Sequence, residues 1–160
     1  MSKSKEITIE SALDEMYRVE QFVELISDEY LLYGNYYGNI LMAVTEAVEN
    51  AIVHGNGSDR RKHVQITQES TSEGLWVRVS DEGPGFDHNA FVNFQGPGAI
   101  VSTDKNGLFL IHKLADEVHY KNNGRTIEML FRINGIDESI FNRRVTFMHD
   151  FFRVYQRLNT

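Results

Sequence analysis

The chain has 160 residues, 41% hydrophobic and 24% charged, the size and balance of one globular domain. With no cysteine it has no disulfide framework, thiol nucleophile, thiolate zinc site or iron-sulfur cluster, and a reducing, cytoplasmic setting is expected. The net charge of −7 sits wholly in residues 1–58, which hold 3 basic and 10 acidic side chains, while residues 59–160 hold 13 of each; no general basic face is offered to nucleic acid. No apolar run approaches the ~20 residues of a membrane span, and the opening MSKSKEITIES lacks the apolar stretch of a signal peptide, so no membrane association is expected. The acidic first third is either a solvated helix face or a surface for a basic partner.

Glu6 to Ile9 alternates and predicts an edge strand. Leu13, Met16, Val19, Val23, Ile26 and Tyr30 recur at helical spacing with acids between them, predicting an amphipathic helix ended by a turn at Gly34-Asn35. A second helix is expected from Tyr36 to His54, apolar over so wide an arc that it should be buried, and closed by Gly55. The alternating runs His63 to Glu69 and Leu75 to Asp81, joined by a polar turn with Gly74, predict an antiparallel pair. Asp87 to Val101, with Gly96-Pro97-Gly98 at its middle, shows no strong period and is expected to be a loop. A helix is predicted from Gly107 to about Glu117. Val118 to Lys121 and Thr126 to Ile133, on either side of the turn sequence Asn122-Asn123-Gly124, predict a second strand pair, and Glu138 to Leu158 a last helix. Helices and antiparallel strands in this order predict an α+β two-layer sandwich, with helices on one face of a mixed, mainly antiparallel sheet. Residues 1–135 would form the domain and residues 136–160 a helical extension of it.

Three pieces carry chemistry. Glu46, Asn50 and His54 fall near one line of the otherwise apolar second helix. Such a line is either a solvated stripe or a divalent-cation site, with the Asn50 amide oxygen as ligand and Glu46 one turn away as a base; oxygen ligands of this kind suit magnesium. Asp81-Glu82-Gly83-Pro84-Gly85-Phe86 follows a strand directly. It is either a plain proline-glycine turn or a place where backbone approaches a flat ligand, with Asp81 accepting from a base amino group. Lys105-Asn106-Gly107-Leu108-Phe109 places a glycine at the expected start of a helix, where free amide groups and the dipole favour phosphate.

The order of these pieces over residues 36–133 resembles the Bergerat ATP-binding fold of gyrase, histidine kinases and MutL-type proteins. EAVENAIVHG (Glu46 to Gly55), DEGPGF, GLFLI and LADEV further resemble the anti-sigma factor serine kinases of bacterial partner switches. The resemblance implies ATP and Mg2+ as cofactors, Asn50 as the metal ligand, and Glu46 as the base that orients a serine or threonine hydroxyl. It implies that Asp81 reads the adenine amino group with Thr126 supporting it through water, and that Gly83 and Gly85 shape the adenine end. Lys105, Asn106, Gly107 and Leu108 would lie at the phosphates, with residues 87–106 as a lid. The implied partners are a sigma factor, an antagonist protein of the anti-anti-sigma type, and a second copy in a homodimer.

The family usually carries glycine, a variable residue and glycine before the leucine, whereas here Lys105 takes the first glycine position. Three readings therefore stand: a serine or threonine kinase of the anti-sigma type, an ATP-gated protein-binding module without phosphotransfer, and a detached histidine-kinase catalytic domain. His149-Asp150 resembles a phosphoacceptor histidine followed by an acid, but phosphoacceptor helices precede the ATP domain in those enzymes. The last helix carries an apolar face wide enough either to pack on its own domain or to meet a subunit or partner.

Overall fold

A computed structural model describes residues 4–32, 34–85, 103–133 and 138–158. Five strands form the sheet: β1 (Ser4–Glu10), β2 (His63–Thr71) and β3 (Gly74–Ser80), which alternate in burial, β4 (Glu117–Lys121), and β5 (Thr126–Phe131), which is buried throughout. They lie in the order β1-β2-β3-β5-β4. Every pairing among the described residues is antiparallel, so the mixed character expected of the sheet is absent there. The registers Ile7↔Ile66, Ile66↔Val79 and Val79↔Ile127 put the apolar members of successive strands on one face.

That face is covered by α1 (Met16–Tyr30), α2 (Asn35–Asn50) and α3 (Thr103–Leu114). Val23 and Ile26 from α1, Val44 and Val48 from α2, and Leu110 and Ile111 from α3 join Ile66, Val77 and Met129 of the sheet in one buried cluster. The opposite face is polar. Arg78 is held between Glu69 at 3.0 Å and Glu128 at 2.7 Å, Lys121 reaches Glu128 at 3.0 Å, and the Trp76 and His119 rings lie 5.8 Å apart.

Element boundaries shift where tertiary contacts intervene. The first helical segment opens as a 3-10 turn, Leu13–Glu15, and ends at Leu31, whose φ of 53° is left-handed, before Gly34 is reached. The second helix is α-helical only to Asn50 and continues as a π-helical turn, Ala51–Gly55. Helix α3 begins at Thr103, four residues before the glycine expected to open it, and ends at Leu114 rather than near Glu117. Its end is fixed by Asp116, whose N–H donates to the Leu130 carbonyl at 2.8 Å and whose carboxylate accepts the Arg132 N–H at 2.7 Å. That pairing draws Glu117 into β4.

The last helix, α4 (Glu138–Leu158), has the expected bounds. Its Phe147 ring packs edge-on against Phe109 of α3, with centroids 5.5 Å apart, and the Lys113 ammonium lies 5.9 Å from the Phe147 ring. Phe147, Met148 and Phe151 pack against the core cluster half-buried, while Val154 stays exposed. The loop expected over 87–101, Phe86, Gly96 and Gly98 lie outside the described residues, as do the side chains of Lys105 and Asn106.

Candidate functional site

Helix α2 buries one face, Asn39, Ile40, Ala43, Val44, Ala47 and Val48, and the polar Glu46 and Asn50 beside it are partly withdrawn from water. Burial, reinforced by the nearby Glu49 charge, pushes the Glu46 carboxyl above the ordinary carboxylate range. Asn50 sits one turn on, and its Nδ2 is buried with no hydrogen-bond partner among the described residues. An unpaired buried amide costs free energy, roughly 1–3 kcal/mol, unless something binds it. His54, third in the line, falls in the π-helical turn and is exposed.

Helix α3 crosses this pair at Gly107. A Cβ there would stand 2.7 Å from Glu46 Oε2 and 3.2 Å from Asn50 Nδ2. Gly107 therefore lies inside the helix, not at its start, and its lack of a side chain is what lets α3 close onto the carboxylate and the amide. The expectation that Gly107 opens the helix is corrected accordingly, since the helix opens at Thr103. Leu108 is half-buried against the core, and Lys105 and Asn106 belong to the first turns of α3.

The other half of the site is the turn after β3. The Asp81 N–H donates to the Arg125 carbonyl at 2.9 Å, which ties the turn to the start of β5. The Asp81 carboxylate accepts the Gly83 N–H at 2.8 Å. Burial raises the Asp81 carboxyl above its usual range, opposed by that N–H and by the charges of Arg125 and Lys62. A Cβ at Gly55 would stand 2.5 Å from the Asp81 carboxyl carbon, and one at Gly83 would overlap the Gly55 carbonyl oxygen. Gly55 and Gly83 thus let the π-helical turn and the Asp81 turn lie back to back. Gly85 has φ 81°, and a Cβ on it would overlap the Asn123 carbonyl oxygen, so the turn also seats on the β4-β5 connection. Thr126 is buried, with its hydroxyl 2.9 Å from that of Ser80 and 3.1 Å from the Asn122 amide nitrogen that donates to it.

The π-helical turn Ala51–Gly55 joins the two halves, with Asn50 just before it and Gly55 at its end. Wide turns of this kind recur at functional sites. Sequence reasoning missed Asn56, immediately after it. This side chain is 3% exposed, accepts the Glu82 N–H at 2.7 Å, and donates to the Ser11 hydroxyl at 2.7 Å and the His63 carbonyl at 3.0 Å. Its partners lie 26, 45 and 7 residues away in sequence, so no local motif announces it.

Among the described residues no group of three or more His, Asp or Glu side chains is placed to hold a metal by itself. The donor set nonetheless fits magnesium, which keeps several waters and takes one or two protein ligands beside phosphate oxygens. Toward such an ion the Asn50 side-chain oxygen would be the ligand, with the Glu46 carboxylate close by, while the unpaired Nδ2, a donor, suits a phosphate oxygen.

Comparison with known proteins gives two matches. The family described as the histidine kinase-like ATPase domain matches residues 9–131, which take in the end of β1, strands β2 to β5 and helices α1 to α3. Serine-protein kinase RsbW of Bacillus subtilis (strain 168) is 33% identical over 104 residues, which cover 61% of this chain and 65% of that protein, less than two thirds of its length.

Proposed function

The chain belongs to the histidine kinase-like ATPase domain family, and on that premise we propose that it is an ATP-dependent serine or threonine protein kinase of the anti-sigma type. In this reading it binds a sigma factor, phosphorylates a small antagonist of that binding, and works in the cytoplasm as a homodimer. The observation that carries the proposal is the closure of α3 on α2 at Gly107, which brings its backbone onto a carboxyl raised by burial and an amide nitrogen unpaired among the described residues, one turn apart on α2. Similarity to the Bacillus serine-protein kinase supports the choice of hydroxyl acceptor.

Each group then has a task. Asp81 accepts from the adenine amino group, with the Thr126 hydroxyl beside it, while Gly55, Gly83 and Gly85 let backbone lie close to the base. Asn50 holds magnesium at the phosphates, and Lys105, Asn106, Gly107 and Leu108 line that end. Bound magnesium supplies neutralisation of phosphate charge. Glu46 accepts the proton of the acceptor serine or threonine as its oxygen bonds to the γ-phosphorus and the bond from that phosphorus to the β-γ bridging oxygen breaks, leaving ADP. Burial suits Glu46 to this, since a carboxylate withdrawn from water is the stronger base. Residues 1–135 carry this chemistry, and 136–160 extend the same domain through the Phe147 contact to α3.

A second reading, an ATP-gated binding module, is favoured by one observation: Lys105 stands where the family carries a glycine, in helical turns that start at Thr103. Incubation with γ-labelled ATP, magnesium and a candidate antagonist separates the readings. Phosphoserine or phosphothreonine on the antagonist is the expected product. Nucleotide-dependent binding with no labelled product would favour the module, and acid-labile phosphohistidine would favour a histidine-kinase catalytic domain.

A further inference from the structure

We propose that Asn56 is a positioning residue for base recognition, fixing the direction of the Asp81 carboxylate and thereby the choice between a 6-amino and a 6-keto purine nucleotide. The inference rests on the reading of Asp81 as the contact to the adenine amino group.

Both ends of the Asn56 amide are committed, and in one orientation only. Oδ1 faces an N–H donor, that of Glu82, and Nδ2 faces a carbonyl oxygen, that of His63; turning the amide over would set donor against donor and acceptor against acceptor. The Ser11 hydroxyl that also receives Nδ2 donates in turn to the Lys62 carbonyl at 2.9 Å, so the side chain is braced from behind. Its own N–H donates to the Ala51 carbonyl at 2.8 Å, closing the π-helical turn.

The group it holds, the Glu82 N–H, belongs to the peptide between Asp81 and Glu82. Fixing that peptide plane fixes where the Asp81 Cα directs its side chain. One carboxylate oxygen, Oδ1, is then taken by the Gly83 N–H, while Oδ2 accepts no hydrogen bond among the described residues and is left for a ligand. Without Asn56, the backbone of Asp81 keeps its bond to Arg125, but the peptide that follows loses its buried acceptor. The carboxylate can then rotate, and selectivity for an amino group weakens before general nucleotide affinity does.

The test is calorimetric titration of the full chain with ATP and with ITP, whose base carries a 6-keto oxygen, in the native protein, Asn56→Ala and Ser11→Ala. The native protein should prefer ATP by about tenfold or more. Asn56→Ala should lose about tenfold in ATP affinity with a less than about twofold change for ITP, and Ser11→Ala should show a smaller loss in the same sense. Amide exchange at Glu82 should accelerate in both variants. Equal losses for the two nucleotides, or an unchanged ratio in either variant, would reduce Asn56 to a structural bond and overturn the proposal alone. If Asn56→Ala does not fold, the Ser11→Ala ratio decides. A native protein without preference for ATP would overturn the Asp81 reading, and this proposal with it.

Discussion

The two halves of the site are built on opposite principles. Around Asp81 the polar groups are engaged with one another: Glu82 N–H with Asn56, Gly83 N–H with Asp81, Thr126 with Ser80 and Asn122. Around Glu46 they are withheld: among the described residues the Asn50 amide nitrogen has no partner, and the Glu46 carboxyl, raised by burial like that of Asp81, has no N–H or cation opposing the shift. A self-satisfied region keeps its shape without ligand and suits recognition of a rigid base. A region carrying an unpaired amide and a raised carboxyl gains most when charged ligands arrive, as phosphate and magnesium would.

Three variants probe that contrast. The largest effect is expected at the withheld half: Glu46→Ala should lower phosphoryl transfer by about 10³-fold while ATP affinity changes by less than about twofold. A single-turnover assay beside calorimetry reads both, and equal losses in rate and affinity would show that Glu46 binds rather than acts as a base. Next comes the engaged half. Gly83→Ala drives a Cβ into the Gly55 carbonyl, so it should weaken ATP binding by about 100-fold and lower thermal stability, because the turn and the π-helical segment cannot both keep their places. Unchanged affinity would mean that the close approach is not part of the site.

The smallest effect sharpens the electrostatic difference. A folded-state pKa above the unfolded value of 4.5 means that the folded protein binds the Glu46 proton more tightly, so stability falls as pH rises from about 4.5 through the raised pKa. Glu46→Gln should remove that loss, raising Tm at pH 7 by about 2 °C, with the gain vanishing below pH 4.5. A gain of the same size at both pH values would point to packing rather than charge.

Much of this was legible in the sequence because it is local. The strand pairs follow from alternation, and the Asp81 turn follows from two glycines about a proline at a strand end. What escaped depends on contacts between distant segments. Gly107 reads as a helix start because it stands between a loop and an apolar helical run, whereas the structure keeps it inside α3, where a side chain would collide with Glu46. The switch from α- to π-helix at Ala51 follows no periodicity break, and Asn56 bonds to segments up to 45 residues away. Pattern shows which residues share a face, but not which face meets another closely enough to forbid a side chain.

Nucleotide recognition is tested most directly by titrating ATP into the native protein and into Asp81→Asn, each with and without magnesium. Micromolar binding that strengthens with magnesium and falls by about tenfold or more in the variant is the expected result. No binding by the native protein, or the same affinity in Asp81→Asn, would contradict it.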